Sequence, residues 1–384
     1  MRLWEPVRRL QQIRGHRVTD ITVEGLEHVS ASIAAGHGVL ITPNHAGHAD
    51  CYLLLDALLK LKTDSYFMTA WQVFALANPI IQQAYRQHGC FSIDRERSDL
   101  AAYREAVRVL SKTSCPLVVF PEGDVYHLAE KVLPPRDGTF TIAMNAVRKS
   151  GRPVACTPCA LKYTYIEDPT AELLTVMADI ERKLEIGNGD SLSLADRAER
   201  LIESTICWRE SQYLERPGRG SLEQRLERLQ NAVLARGEHL LDLDRDRRSL
   251  PERVKLLRQT VIGQTKEDSA KNQGLNSAEL LEDAFIAIQL YSYVPGYVAE
   301  RPTIERIAET VDKLEEDVLG LPTANIRGKR HGTIRFAPPT VVETAGNRAE
   351  AQQLGKQLRD RMQELVYSQP TSKTIEPCGA GEYA

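Results

Sequence analysis

The sequence predicts an α/β fold: a mainly parallel sheet flanked by helices and interrupted by a large helical insertion. Three observations predict it. Continuous apolar runs (Val39-Leu40-Ile41-Thr42, Pro116-Leu117-Val118-Val119-Phe120 and Pro153-Val154-Ala155-Cys156-Thr157) alternate with segments of helical periodicity. Runs of that kind suit strands covered on both faces. From Ala171 to Gly320 the strand pattern disappears, and apolar residues recur at three- and four-residue spacing among charged ones. The strand pattern then returns at Thr333-Ile334-Arg335-Phe336, ahead of a closing helix over Glu350 to Tyr367.

In chain order, residues 1–19 form a basic amphipathic segment. Arg2, Arg8, Arg9, Arg14 and Arg17 face one acid, Glu5, while Leu3, Trp4, Val7 and Leu10 repeat at helical spacing. Such a segment can lie on an anionic membrane surface, and it equally fits an ordinary helix packed on the domain. Loss of anionic-liposome binding on deleting residues 1–17 separates the two. Ile21 to Gly25 alternates as a short strand does. A polar helix follows over Ser30 to Ala35, then the buried run Val39 to Thr42. Asp50 stands at the N-cap position of a helix over Cys51 to Leu61. Tyr66 to Thr69 is a strand, Val73 to Gln87 is helical, and Gly89 leads into a strand-like turn ending at Ile93-Asp94-Arg95. Helices over Leu100 to Lys112 and Thr139 to Lys149 bracket the run that ends in Pro121-Glu122-Gly123.

These elements divide the chain into an α/β domain over residues 20–170 and 325–367, a helical insertion over 171–324 and a loose tail over 368–384. Five helices are expected in the insertion: Ser191 to Tyr213, Ser221 to Leu243, Pro251 to Ile262, Ser277 to Tyr291 and Thr303 to Leu319. No fixed-period repeat is apparent among them. The insertion is expected to pack on the core, to dimerise, or to serve as a substrate lid.

At 384 residues and 42% hydrophobic the chain can bury a large core. A net charge of −3 supplies no drive toward nucleic acid. No stretch reaches the ~20 apolar residues of a membrane-spanning helix. The nearest, Cys51 to Leu61, is broken by Asp56 and Lys60. No secretory leader is apparent, and seven scattered cysteines fit a reducing, cytoplasmic setting. Cys156 and Cys159 form a lone pair at C-x-x-C spacing, which suits buried strand thiols better than zinc.

Chemistry is concentrated just past the carboxyl ends of the strands, where open α/β sheets gather their functional groups. Asn44-His45-Ala46-Gly47-His48-Ala49-Asp50 follows one buried run and Glu122-Gly123 follows another. Moving an acyl group to a hydroxyl requires a base that removes the hydroxyl proton, and a neutral imidazole held by a carboxylate is suited to it. His45 ends a strand and Asp50 starts a helix, so the small residues between them can fold the carboxylate back to the ring. No Ser or Cys stands in a nucleophile-elbow context, which favours direct attack of the acceptor on a thioester. His-x4-Asp alone also fits a loop histidine beside a helix-capping Asp. Three later blocks accompany it: Gly89-Cys90-Phe91-Ser92-Ile93-Asp94-Arg95, Phe120-Pro121-Glu122-Gly123 and Gly151-Arg152-Pro153-Val154-Ala155.

In that order and at those separations, the four blocks resemble the glycerolipid acyltransferase family, the group that contains bacterial 1-acylglycerol-3-phosphate acyltransferase. The resemblance covers residues 20–167 and 325–367. It implies His45 and Asp50 as the catalytic pair, and Asn44, Gly89, Arg95, Glu122 and Gly123 as substrate contacts. Gly89 and Arg95 would meet the acceptor's phosphate, while Glu122 and Gly123 would shape the acceptor site. It further implies an acyl-CoA or acyl-carrier-protein thioester as donor and a glycerolipid-type acceptor. No cofactor and no metal are expected, and the scattered cysteines with the basic N-terminal segment fit a cytoplasmic protein peripheral on the inner face of the membrane. Asp124 and Val125 depart from the Thr and Arg that the family places after its Glu-Gly, so a phosphate-facing cation is missing there. Competing readings are an amine or phosphate-free acceptor, a hydrolase, a metal cluster of His45, His48 and Asp50, and a non-catalytic interaction protein on the same fold.

Overall fold

Helix α1 (Glu5–Leu10) is the first element and runs into a π-helical turn over Gln11–Gly15. The computed structural model describes residues 4–95, 99–136, 138–216, 218–245, 248–264 and 276–371. Arg2 and Leu3 of the basic segment lie outside them, as does the tail from 372. Arg8 is buried rather than turned to a surface. Its guanidinium donates to Asp56 Oδ1 at 2.8 Å, Gln12 Oε1 at 2.8 Å and the Tyr52 carbonyl at 3.0 Å, while Val7 and Leu10 stay exposed.

The sheet is laid down in order: β1 (Val18–Glu24), α2 (Leu26–Ala34), β2 (Gly38–Pro43), α3 (Asp50–Leu59), β3 (Tyr66–Ala70), α4 (Trp71–Ala75), α5 (Pro79–Gln87), β4 (Cys90–Ile93), α6 (Leu100–Lys112), β5 (Leu117–Val118), α7 (Gly138–Ser150) and β6 (Val154–Tyr165). Seven helices follow: α8 (Thr170–Lys183), α9 (Leu194–Tyr213), α10 (Leu222–Leu240), α11 (Leu250–Gln264), α12 (Ser277–Tyr291), α13 (Tyr297–Glu300) and α14 (Ile304–Leu319). β7 (Arg330–Phe336), β8 (Thr340–Val342) and α15 (Arg348–Tyr367) complete the sheet. By contact the chain divides into two units, Met1–Pro169 with Ile326–Ser372, and Thr170–Asn325.

The strand order is β1-β7-β6-β2-β5-β3-β4. β6 runs antiparallel to β7 along one half and to β8 along the other, and the remaining pairings are parallel. The expected α/β class, a mainly parallel sheet, is therefore what the chain forms. Side-chain alternation decides its two faces. Val39, Ile41, Val118, Leu161 and Tyr163 pack toward α2 and α3, while Leu40, Leu117, Val154 and Cys156 pack toward α6, α7 and α15. Cys156 and Cys159 are both fully buried in β6, and burial pushes the Cys156 thiol up to about 12. The tail is not loose at its start, because Gln369 is buried and donates to the Ala160 carbonyl at 3.2 Å.

The helical unit corrects one expectation. Ser-Leu-x-x-Arg-x-x-x-Leu recurs at Ser193, Ser221 and Ser249, at intervals of 28 residues. Ser193 and Ser221 cap α9 and α10 through their hydroxyls, and Ser249 bonds Glu252 in front of α11. Leu201, Leu229 and Leu257 are fully buried. Each repeated Arg reaches back to a Glu near the end of the preceding helix: Arg197 to Glu181, Arg225 to Glu210 and Arg253 to Glu238, each at 2.7 Å and each bidentate. The planar guanidinium fork matches a carboxylate in that geometry. Only a few positions per repeat are constrained, which hides the period among the charged residues of the sequence.

Among the described residues, no helix is long and apolar enough to cross a membrane.

Candidate active site

β2, β5, β3 and β4 run parallel, so their carboxyl ends share one edge of the sheet. His45 follows β2, Glu122 follows β5 and Arg95 follows β4, which brings three of the expected residues to that edge. Asp50 reaches it from α3. It is the first residue of the helix rather than its cap, a position held by Ala49, and its side chain turns back toward the strand end.

His45 Nδ1 lies 2.8 Å from Asp50 Oδ2. The Gly47 N–H donates to the same oxygen at 3.0 Å, and the Tyr163 hydroxyl donates to Oδ1 at 2.6 Å. Asp50 is fully buried, whereas 21% of the His45 side chain is exposed. With Asp50 ionised, the proton sits on Nδ1 and Nε2 presents its lone pair. Nε2 has no hydrogen-bond partner among the described residues. The ring stacks on Phe120, with centroids 4.1 Å apart and planes 22° from parallel. Packing on one side and a hydrogen bond at one nitrogen thus fix the imidazole.

Glu122 has a different task from the one expected. It is buried; Oε1 accepts the His45 N–H at 2.9 Å and Oε2 accepts the Leu133 N–H at 3.2 Å. Burial raises its carboxyl to about 7, against the two amides, which lower it. The carboxylate therefore ties the β2 end to the irregular stretch after β5. Asn44 is likewise turned inward rather than toward a substrate: its side chain bonds both the N–H and the carbonyl of Leu161, at 2.7 and 3.0 Å, and the Ala129 carbonyl at 3.2 Å. Gly89 precedes β4 and so lies at the amino end of the parallel strands, opposite His45. Its φ of +80° and the Ser65 carbonyl, 1.8 Å from where a Cβ would sit, explain why no side chain stands there. The expected Gly89 contact with a phosphate does not fit that position.

Arg95 hydrogen-bonds the Gly123 carbonyl and lies 3.5 Å from Asp124 Oδ1. Gly123 also has φ +80°, with Arg136 packed against it. The Arg136 Nε–H donates to the Glu122 carbonyl at 3.1 Å. A second guanidinium thus stands beside the Glu-Gly turn, supplied from a position the sequence pattern does not mark. His48 is exposed and meets His127 edge-on at 5.9 Å. Among the described residues, His45, His48 and Asp50 do not gather into a metal-ligand cluster. Sequence reasoning missed Tyr163, Phe120 and Arg136. Phe120 stands inside a marked block but was given no task of its own, whereas Tyr163 and Arg136 carry no local signal.

This arrangement can hold an imidazole in one tautomer and present its free nitrogen at the carboxyl edge of a parallel sheet, the edge where acid–base chemistry is expected in such folds. Residues 20–162, the segment containing the dyad, the Arg95 turn and the Glu122 turn, match the family model described as Acyltransferase. No curated protein matches the chain. The α/β unit that carries this dyad is similar to the acyltransferase family over those residues.

Proposed function

We propose that the protein transfers a fatty acyl group from an acyl-CoA or acyl-carrier-protein thioester to a hydroxyl of a glycerolipid-type acceptor. The reading is carried by one observation: the 2.8 Å contact of His45 Nδ1 with a fully buried Asp50, which leaves Nε2 without a partner among the described residues at the strand edge. Nε2 takes the hydroxyl proton as the oxygen attacks the thioester carbonyl. The tetrahedral intermediate collapses, the C–S bond breaks, and the same proton passes to the departing thiolate. Asp50 stabilises the transient imidazolium, and a base so held contributes ~10²–10⁴-fold. Glu122 keeps the His45 backbone in register with the turn after β5.

An acceptor screen with labelled acyl-CoA and acyl-carrier protein, read by mass spectrometry, tests it. His45→Ala should form no acylated product while keeping the wild-type melting temperature. Thioester turnover at the wild-type rate in that variant overturns the reading, and free fatty acid as the sole product supports a hydrolase instead.

A phosphate-free acceptor is the second reading, and the Arg95–Asp124 pair favours it, because Arg95 already has an acidic neighbour at 3.5 Å. Arg95→Ala distinguishes the two. The acceptor KM rises if Arg95 holds a phosphate and is unchanged if it does not.

A further inference from the structure

The geometry points to Tyr163 as a positioning residue that sets how strongly Asp50 holds the His45 imidazolium. The inference rests on the base role proposed for His45. Asp50 is fully buried, and its two oxygens are served differently. Oδ2 takes His45 Nδ1 and the Gly47 N–H. Oδ1 takes only the Tyr163 hydroxyl among the described residues, at 2.6 Å. A buried carboxylate oxygen with a single donor depends on it, since hydrogen bonds to charged groups are strong and their loss strands the charge.

Tyr163 is itself placed to donate and not to lose its proton. It is buried on the face of β6 that packs on α3. Burial and the neighbouring Asp50 hold its hydroxyl well above the ordinary tyrosine range. The Arg330 guanidinium lies over the ring, 4.9 Å from its centroid, and is tethered to the His16 carbonyl at 2.9 Å. A cation on the ring face draws electron density from the phenol and strengthens it as a donor. The β2 end and β6 therefore act on the α3 carboxylate directly, and β7 acts on it through the Tyr163 ring.

The consequence is a division of Asp50's charge between two donors. Density drawn toward Tyr163 is withheld from His45, so the imidazolium is held less tightly. Without the hydroxyl, Asp50 directs its full charge at Nδ1 and His45 keeps its proton to higher pH. The other titratable or charged groups facing the pair are His16, Cys51, Cys159, Glu122 and Arg330. Each is unchanged in a Tyr163→Phe comparison.

The experiment is the pH profile of kcat/KM for wild type, Tyr163→Phe, Arg330→Gln and His45→Ala, with product read by mass spectrometry and folding by thermal melt. Tyr163→Phe should move the acid limb to higher pH by about half a unit to one unit, a proton-affinity change of about 3- to 10-fold. Activity above the limb should stay within a few-fold of wild type. Arg330→Gln should move the limb the same way by less, and it carries the test if Tyr163→Phe does not fold. An acid limb that stays in place, with activity lowered equally at every pH, overturns the inference and makes Tyr163 purely structural. His45→Ala separates the two levels: turnover in that variant defeats the base reading itself, whereas an inactive His45→Ala with an unmoved limb in Tyr163→Phe defeats only the role of Tyr163.

Discussion

Asp50→Asn removes one charge and almost no volume, and its cost can be worked from the contacts. A 2.8 Å bond between Nδ1 and Oδ2 places the centres of the imidazolium and carboxylate charges roughly 4 Å apart. At an effective dielectric constant of about 20 such a pair is worth about 4 kcal/mol, or about 10³-fold in rate. A further loss follows only if the asparagine presents its NH2 to Nδ1, because the proton would then move to Nε2 and the base would be blocked. The site opposes that orientation. The Gly47 N–H points at the same oxygen from 3.0 Å, so the amide oxygen is favoured there and the NH2 falls toward Tyr163, whose hydroxyl can rotate to accept. The expected result is a kcat lower by about 10³-fold, with little change in acceptor KM, because the charge is used only once the imidazolium forms. Steady-state product formation, measured beside thermal melts, checks it. A kcat within tenfold of wild type, or an effect confined to KM, refutes the reasoning.

Three other expectations follow from burial and backbone geometry. Because burial raises the Glu122 carboxyl from 4.5 to about 7, its ionisation costs the folded state more than the unfolded one. Its contribution is fully present below about pH 4.5 and is lost as pH rises to about 7, so melting curves of Glu122→Gln should gain on wild type across that window; parallel curves refute this. Gly89→Ala drives a Cβ to 1.8 Å from the Ser65 carbonyl at a φ of +80°, and should cost at least about 3 kcal/mol in urea unfolding. Its folded fraction should keep the wild-type acceptor KM, and a raised KM would return Gly89 to the acceptor site. Glu210→Ala leaves the Arg225 guanidinium without its buried carboxylate and should destabilise the helical unit by about 3 kcal/mol, which chemical denaturation would show; a loss under about 1 kcal/mol counts against the inter-helix clip.

What the sequence revealed of the fold depended on periodicity. Leu40 and Ile41 lie in one apolar run yet pack into opposite cores, which is why runs without alternation marked strands covered on both faces. Helix α6 was expected over the same residues it occupies, since its apolar face is continuous and Asp99 caps it. The misses have a common physical origin. β8 is three residues long, too short for a pattern to repeat. β6 extends to Tyr165, beyond the apolar run, because its far half gains partners from β7, a strand far away in the chain. The 28-residue period of the helical unit rests on Arg–Glu pairs whose partners are 15 or 16 residues apart, a distance at which neither helical nor strand periodicity operates.

The site divides along the same line. His45, Asp50, Arg95 and Glu122 could be found because each sits next to a strand end, and strand ends are visible as the close of an apolar run. Their tasks could not be found that way. Glu122 looks like a substrate ligand until its two oxygens are seen on the His45 and Leu133 amides. Asn44 looks like part of a motif until its side chain is seen bonding Leu161 on the neighbouring strand. Tyr163 lies 113 residues from Asp50 and looks like an ordinary aromatic of an alternating strand, yet it alone serves one oxygen of the buried carboxylate among the described residues. A linear sequence displays which groups stand at the edge of a sheet. Which of them face the substrate and which hold the others in place depends on pairings between strands. The residues here that hold the dyad, Glu122 and Tyr163, therefore became assignable only once β6 was in register with β2 and the turn after β5 was closed over the His45 amide.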